Sequence, residues 1–320
     1  MMIGNFTFSQ GCLPNGISFN DQEQIDNFQI NYPGCTEILG AVNISGYNIA
    51  NLDGLSSLTT IGGKLVIGYN HYLENISGLE KLISVGGSFE IDNNEKLTNL
   101  SGLDSLKYIG GKLSIKYNDI LQNIMALESL DSIGGQLYIG HNNSLINLSG
   151  LTGLNSINGM LTITNNSSLN NISGIKNIDA VPVTTLYIMY NPLLSYCAIQ
   201  SICDYLAGGI VAANIYYNAE GCKNKGQVET ACQNLSVPSF YQTALLSFGP
   251  NPTNHQITIT LSTFSDDTYF SISQINGRKL FERRILEKET HIDFSNYPLG
   301  VYLITFQVGS EVITKKVVKI

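Results

Sequence analysis

From about Leu52 to Leu194 the chain repeats itself every 24 residues. Gly62-Gly63 returns as Gly86-Gly87, Gly110-Gly111 and Gly134-Gly135, and more loosely as Asn158-Gly159. A fixed period in the twenties marks a solenoid, in which each unit buries its apolar face only against its neighbours. One unit reads close to L-x-G-L-x-x-L-x-x-I-G-G-x-L-x-I-x-x-N-x-x-L-x-N, and seven of its columns are apolar in all six turns. The alternation Leu65-x-Ile67 and its copies has the two-residue period of a strand, so one short parallel strand per turn is expected there. Gly-Gly is expected to supply the backbone freedom for one tight corner. The sixth turn slips by one residue between Val181 and Leu186, around Pro182, and then resumes.

Two further columns are asparagine throughout. One runs Asn70, Asn94, Asn118, Asn142, Asn166, Asn191, and the other Asn51, Asn75, Asn99, Asn123, Asn147, Asn171. A stacked amide satisfies backbone groups in the turns above and below, so both columns are expected to form ladders at the corners of the coil. Asn75-Ile76-Ser77 and Asn99-Leu100-Ser101 also spell glycosylation sequons. The repeat itself accounts for them, because it places Asn and Ser at those corners.

The cysteines sit only at the two ends of the repeat block: Cys12 and Cys35 before it, and Cys197, Cys203, Cys222 and Cys232 after it. An even set so placed reads as disulfide-stapled caps in an exported protein. A zinc site is disfavoured by the lack of CxxC pairs and of a nearby histidine. Asp21 opens a short amphipathic helix with Ile25 and Phe28 inward, ending before Tyr32-Pro33-Gly34, and Cys12–Cys35 is expected to close that cap. Residues 36 to 51 read as an irregular entry turn with Val42-x-Ile44 as its strand. After Leu194 the period ends: a helix is expected over Ala198–Ala207, a strand over Ile210–Tyr217 and a helical turn over Val228–Cys232. The four cysteines there allow three pairings, and all remain open. Met1-Met2-Ile3-Gly4-Asn5 has neither a basic nor an apolar leader region, so export implies a start upstream or a leaderless fragment.

Charge is sparse, at 13% of residues, and the net value of −8 argues against a nucleic-acid partner. No window approaches the apolar length of a membrane span. Composition shifts across a linker at residues 233–244. From residue 245 onward eight basic residues meet seven acidic ones, whereas the stretch before carries nine against eighteen. The alternating runs Ile257-x-Ile259-x-Leu261, Phe270-x-Ile272 and Tyr302-x-Ile304-x-Phe306 predict a small antiparallel sandwich.

The block from about residue 10 to 232 resembles the receptor L-domain family of bacterial surface proteins. The residues that carry the likeness are Cys12, Asn31-Tyr32-Pro33-Gly34-Cys35-Thr36 and the repeated Leu-x-x-Ile-Gly-Gly-x-Leu-x-Ile. The resemblance implies a right-handed, leucine-rich-repeat-like β-solenoid that binds partners and has no catalytic residues. The tail resembles the C-terminal sorting domain of type IX (Por) secretion, through Pro250-Asn251-Pro252, Gly277 in Ile275–Leu280, Gly300 and Tyr302 in Ile292–Tyr302, and Lys315-Lys316 in the last six residues. Gly249 stands where an aromatic or other apolar residue often precedes the first proline. This second resemblance implies export through the type IX machinery, to the surface or beyond.

The fold expected is therefore mainly β: a parallel β-solenoid with short helical caps, followed by an antiparallel β-sandwich. Its parts are an N-terminal cap (1–35), the solenoid (36–196), a disulfide cap (197–232), the linker (233–244) and the sorting domain (245–320). No GxGxxG, Walker loop, HExxH or GxSxG occurs, and His71, His141, His255 and His291 are scattered. No catalytic residue, metal or cofactor is expected. Glu90 and Asp92 are a possible carboxylate pair on a strand face, equally explained as solvated. Residues alternating with Leu65 and Ile67 point outward. One outward column runs Val66, Glu90, Ser114, Tyr138, Thr162, Tyr187, and another Tyr69, Asn93, Tyr117, His141, Asn165, Tyr190. Tyr69, Tyr117, Tyr138, His141, Tyr187 and Tyr190 are the expected contacts for an extracellular protein or glycan. The readings kept beside a binding protein are an enzyme with an unrecognised site and a purely structural surface component.

Overall fold

The computed structural model describes residues 11–179, 183–208, 212–235, 246–249, 253–261, 268–274, 278–285, 287, 289–308 and 311–319. The chain divides into two compact units, Met1–Leu235 and Ser236–Ile320.

In the first unit the Leu-x-Ile alternation folds as expected into a long parallel sheet. Its nine strands follow chain order: Ile17–Phe19, Val42–Ile44, Leu65–Gly68, Phe89–Asp92, Leu113–Lys116, Leu137–Gly140, Gly159–Thr164, Val183–Met189 and Ala213–Tyr216. Six coils carry a second strand that periodicity did not mark. These are two-residue pieces such as Thr60–Ile61 and Ser84–Val85, which make a six-stranded parallel sheet. Two residues are too few to display an alternation. The third side of most coils is a single 3-10 turn, for example Ser77–Leu79. The apolar columns point inward, and Leu55, Leu79, Leu103, Leu127, Leu151 and Ile175 are fully buried. The slip in the sixth turn is a bulge. Gly159 pairs with Val183 and Met160 with Thr185, which leaves Thr184 over; residues 180–182 lie outside the described set.

The glycine pairs do a different job from the one expected. None of the repeated Gly-Gly residues has a positive φ. A Cβ on Gly86 would fall 2.3 Å from the Gly62 carbonyl oxygen, and one on Gly110 would fall 2.1 Å from that of Gly86. Glycine is there because successive coils stack backbone on backbone at that corner.

Left-handed backbone occurs instead where the long strands end. Tyr69, Asn93, Tyr117, His141, Asn165, Tyr190 and Tyr217 all have φ between 55° and 59°. Such a conformation costs an L-residue about 1–2 kcal/mol, less for Asn. The residue after it in each coil holds it in place: the buried Asn70, Asn94, Asn118, Asn142, Asn166, Asn191 or Asn218. Asn94 Nδ2 donates to Ile67 O at 3.0 Å, to Asp92 O at 3.3 Å and to Asn118 Oδ1 at 3.2 Å, and Asn118 Oδ1 also accepts from Asn94 N at 3.1 Å. This pattern passes along the stack, reaching Asn218, whose Oδ1 accepts from Asn191 N at 3.1 Å.

The second asparagine column is not a ladder between coils. Asn75 Oδ1 accepts from Ser77 N at 3.1 Å and Ser77 Oγ at 2.7 Å, and Asn99, Asn147 and Asn171 bond likewise to the N–H two residues on. Each caps its own turn as an Asx-turn. The sequon residues are thus occupied structurally.

The caps extend the coil more than the sequence suggests. At the N-terminal end Ile17–Phe19 joins the long sheet beside Val42–Ile44. The expected helix is two short ones, Gln22–Asp26 and Phe28–Asn31, with Asp21 accepting from Gln24 N and with Ile25 and Phe28 buried. At the C-terminal end Ala213–Tyr216 pairs in parallel with Val183–Met189, so the strand expected over Ile210–Tyr217 is one more coil. Its period is hidden by the inserted helix Gln200–Ala207. The last helix spans Lys225–Leu235, longer than Val228–Cys232, and takes in the first residues of the expected linker. Disulfides join Cys12 to Cys35, Cys197 to Cys222 and Cys203 to Cys232, the last bridging the two helices. Each closes a loop for which chain entropy allows about 3–4 kcal/mol.

The strands of the second unit pair antiparallel, with one isolated parallel bridge between Thr253 and Lys319. Leu246–Gly249, Gln256–Leu261 and Glu289–Asp293 make one sheet, and Lys279–Arg284, Thr268–Gln274, Gly300–Val308 and Glu311–Lys319 make the other. Ile257, Ile259, Phe270, Ile272, Phe294, Ile304 and Phe306 fill its core.

Two kinds of substitution test this account. Gly110→Ala, whose methyl meets the backbone of the preceding coil, should lower the unfolding free energy by about 2–3 kcal/mol. Gly208→Ala, at φ −66° with 3.5 Å to its nearest atoms, should stay within about 0.5 kcal/mol of wild type in the same urea titration. Asn118→Ala orphans buried groups on both adjoining coils, and should cost about 3 kcal/mol or more.

Candidate functional site

The outward surface of the long sheet is built from two adjacent columns. Residues alternating with the buried Leu and Ile positions stand on its strands, and the left-handed residues stand along its edge. A residue in that conformation at a strand end throws its side chain outward while the following Asn turns in. Tyr69, Tyr117, Tyr190 and Tyr217 are accordingly 58%, 43%, 45% and 66% exposed. Neighbouring members are separated by the strand spacing of about 4.8 Å.

The face is zoned by charge. Glu90 lies between Lys64 and Lys112, at 3.0 Å and 2.7 Å from their ammonium groups, and Asp92 meets Lys116 at 3.1 Å. The carboxylate pair read from the sequence is therefore taken up by lysines on the adjoining strands. Burial pushes the Glu90 carboxyl up, but its hydrogen bonds to Lys112 and Lys64 outweigh that and hold it below its ordinary value. For Lys116, burial works downward, and the bond to Asp92 prevails and raises it. Beyond these strands the face changes character. The segments 136–144, 159–168, 183–193 and 212–218 contain no Asp, Glu, Lys or Arg.

In the strand column the large residues shelter the small ones. Ser114 and Thr162 are buried on the outer surface, because Tyr138 is in register with both and Tyr187 with Thr162. Tyr138 and Tyr187 are half-buried rather than free. Burial raises the Tyr138 phenol, so it stays protonated beyond its usual range. A Cβ on Gly140 would sit 2.8 Å from the Tyr138 ring, so glycine there leaves the ring room.

Along the edge, the expected residues gather into two groups. The rings of Tyr117 and His141 stack with centroids 4.4 Å apart. Tyr190 stacks on Tyr217 at 4.9 Å and meets Tyr216 edge-on at 5.7 Å. Between the groups lies an open groove of 370 Å³, lined by His141, Asn143, Asn165, Ser167, Tyr190, Pro192 and Tyr217. Tyr69 stands apart, with Asn93 beside it in the row. Tyr216, Tyr217, Asn143 and Ser167 were not singled out from the sequence. Tyr217 had a signal: Ile215-Tyr216-Tyr217-Asn218 copies Ile188-Met189-Tyr190-Asn191, set off by the longer spacing of the last coil. A further cluster, Tyr47 with His71 and Tyr72, lies at the other end, where His71 Nδ1 is 2.9 Å from Glu95 Oε1.

In the second unit, Tyr302 is buried and its hydroxyl donates to Pro298 O at 2.7 Å, within a ring cluster that includes Phe294 and Tyr297. Gly300, at φ 152°, opens the strand Gly300–Val308. Lys315 and Lys316 lie on the last strand, in register with Ile304 and Leu303. Lys319 is buried and its ammonium donates to Asn254 O. Pro250, Asn251, Pro252 and Gly277 lie outside the described residues.

The Glu90 pairing sets a pH dependence. A folded-state carboxyl held below its ordinary value of 4.5 contributes stability above that value and loses it as pH falls through the lowered one. Glu90→Gln should therefore be less stable than wild type at pH 7, by an amount on the order of 1 kcal/mol because the lysines are half-exposed. The gap should narrow as denaturant titrations are taken downward from pH 5.

The family model of the secretion system C-terminal sorting domain matches residues 248–320. No curated protein matches the chain. A chain with such a domain is handled by the type IX secretion machinery and delivered to the cell surface or the extracellular space. Among the described residues no helix is long and apolar enough to cross a membrane.

Proposed function

We propose that the protein is a non-catalytic binding or adhesion protein of the cell surface or its surroundings, whose solenoid captures a ligand on the outward face of the long sheet. The likeness of residues 10 to 232 to the receptor L-domains of bacterial surface proteins supports this reading. The observation that carries it is the row of left-handed corner residues. The ladder fixes the inner half of each corner, while the outer half is a tyrosine, histidine or asparagine displayed at strand spacing. Exposed, rigidly mounted aromatic side chains add contact area at little entropic cost, which is why they anchor interfaces. Glu90 and Asp92, the carboxylates on the strands of this face, are paired with lysines.

The test is capture by immobilised glycans and extracellular-matrix proteins. Asparagine already occupies the corner at positions 93 and 165, so it replaces the aromatic residues without new backbone strain. Full-length protein carrying Tyr117→Asn, His141→Asn, Tyr190→Asn and Tyr217→Asn should keep its melting transition and lose at least about tenfold in capture of whatever the wild type binds. Bound ligand should be recovered intact. Capture unaffected by the four changes would move the site elsewhere, and cleavage of the ligand would make the protein an enzyme.

A further inference from the structure

Resting on that reading, we propose that the groove between the two aromatic stacks is a subsite for a neutral oligosaccharide. Three observations converge on this class of ligand.

The first is charge. The strands and corners that form the groove carry no Asp, Glu, Lys or Arg, and Glu90 and Asp92 earlier on the face are paired with Lys64, Lys112 and Lys116. A polyanion would find no Lys or Arg there. Asp119, the nearest carboxylate in the pattern, is outside the lining and bonded to it through Asn143 Nδ2 at 2.8 Å.

The second is the pairing of flat apolar faces with amides and a hydroxyl. Tyr190 and Tyr217 are mutually stacked and 45% and 66% exposed, so aromatic surface remains on the solvent side of the stack. A pyranose ring offers one face of C–H bonds, which packs on such a surface, and a rim of hydroxyls, which both donate and accept. The groove supplies matching groups by count. Asn143 donates one N–H to Asp119 and accepts from Ser167 Oγ at 2.8 Å, keeping a second N–H and a second lone pair. Asn165 gives one N–H to Thr164 Oγ1 at 2.8 Å and has the other and its carbonyl to offer. A purely apolar ligand would leave these groups unpaired, at a cost in affinity.

The third is shape. The groove is open and 370 Å³ in volume, at the low end for small-ligand clefts. Its lining residues come from four successive coils, so its polar and aromatic groups recur at the strand spacing of about 4.8 Å. That recurrence matches the length of one residue in an extended sugar chain. The ligand fitted is thus a short run of a linear neutral polysaccharide laid across the edges of successive coils.

Titration calorimetry on the full-length protein tests this, with cellohexaose, laminarihexaose, xylohexaose and mannohexaose as probes and oligogalacturonate as the charged comparison. At least one neutral hexasaccharide should bind with a dissociation constant below ~1 mM, more tightly than oligogalacturonate. Tyr190→Asn and Tyr217→Asn should each weaken it by tenfold or more with the melting transition unchanged. Tyr108→Ser, a change at an exposed tyrosine on the other sheet in register with Ser84 and Ser132, should leave the affinity as it was. Absence of binding by all four neutral probes overturns the proposal, as does stronger binding of oligogalacturonate or binding indifferent to Tyr190 and Tyr217. Capture of a matrix protein through Tyr117 and Tyr138, with no sugar bound, would sink the saccharide assignment and leave the binding-face reading standing. A face that captures nothing would sink both.

Discussion

The stacked asparagine amides are what let the coil close. At the end of each long strand the chain must turn sharply, and it does so by putting a residue with a side chain into left-handed backbone, a conformation with an intrinsic cost. The amide of the next residue offsets that cost. It bonds to its own coil, to the coil before and to the next amide in the stack, so that a corner buried among Leu and Ile leaves no polar group unpaired. Removing one member strands partners on both sides. The apolar columns supply most of the driving force, but it is this chain of amides that fixes where the turn falls and keeps the coils in register.

Export and stability meet at the ends of the stack. A solenoid buries apolar surface only between neighbours, so its first and last coils need covers. Here the covers are short helices: Cys12–Cys35 closes the segment that holds the first two, and Cys203–Cys232 joins the last two to each other. Such bridges form and persist outside the cytoplasm. That agrees with a sorting domain whose presence sends the protein to the surface or the medium. The covers and the address are thus two expressions of one destination.

Much of the architecture was legible because a 24-residue period makes every column its own control. The apolar columns, the long strands, the inner asparagines and the end-only cysteines all emerged from it. The part that stayed hidden was local geometry that composition does not encode. Gly-Gly is read naturally as conformational freedom, yet the pairs at 86–87 and 110–111 serve close stacking. Most of the true left-handed corner positions are tyrosines, which nothing in their residue type announces except the Asn immediately after. The second asparagine column looks identical in sequence to the first, and only its distance from the next N–H separates an Asx-turn from a ladder. The last coil escaped notice because the helix Gln200–Ala207 stretches its period, and with it went Tyr217, half of the aromatic stack at the groove.

The corner pair divides labour between two consecutive residues, one facing in and one facing out. The inner residue is Asn at every coil from Asn70 to Asn218, whereas the outer one varies as Tyr, Asn, Tyr, His, Asn, Tyr, Tyr. Because the scaffold's demands fall on the inner residue, the outer one is free to change without renegotiating the fold. The edge of the sheet therefore behaves as a strip of movable type: a fixed rack of slots at constant pitch, in which side chains are exchanged one character at a time and which is lengthened by adding whole coils.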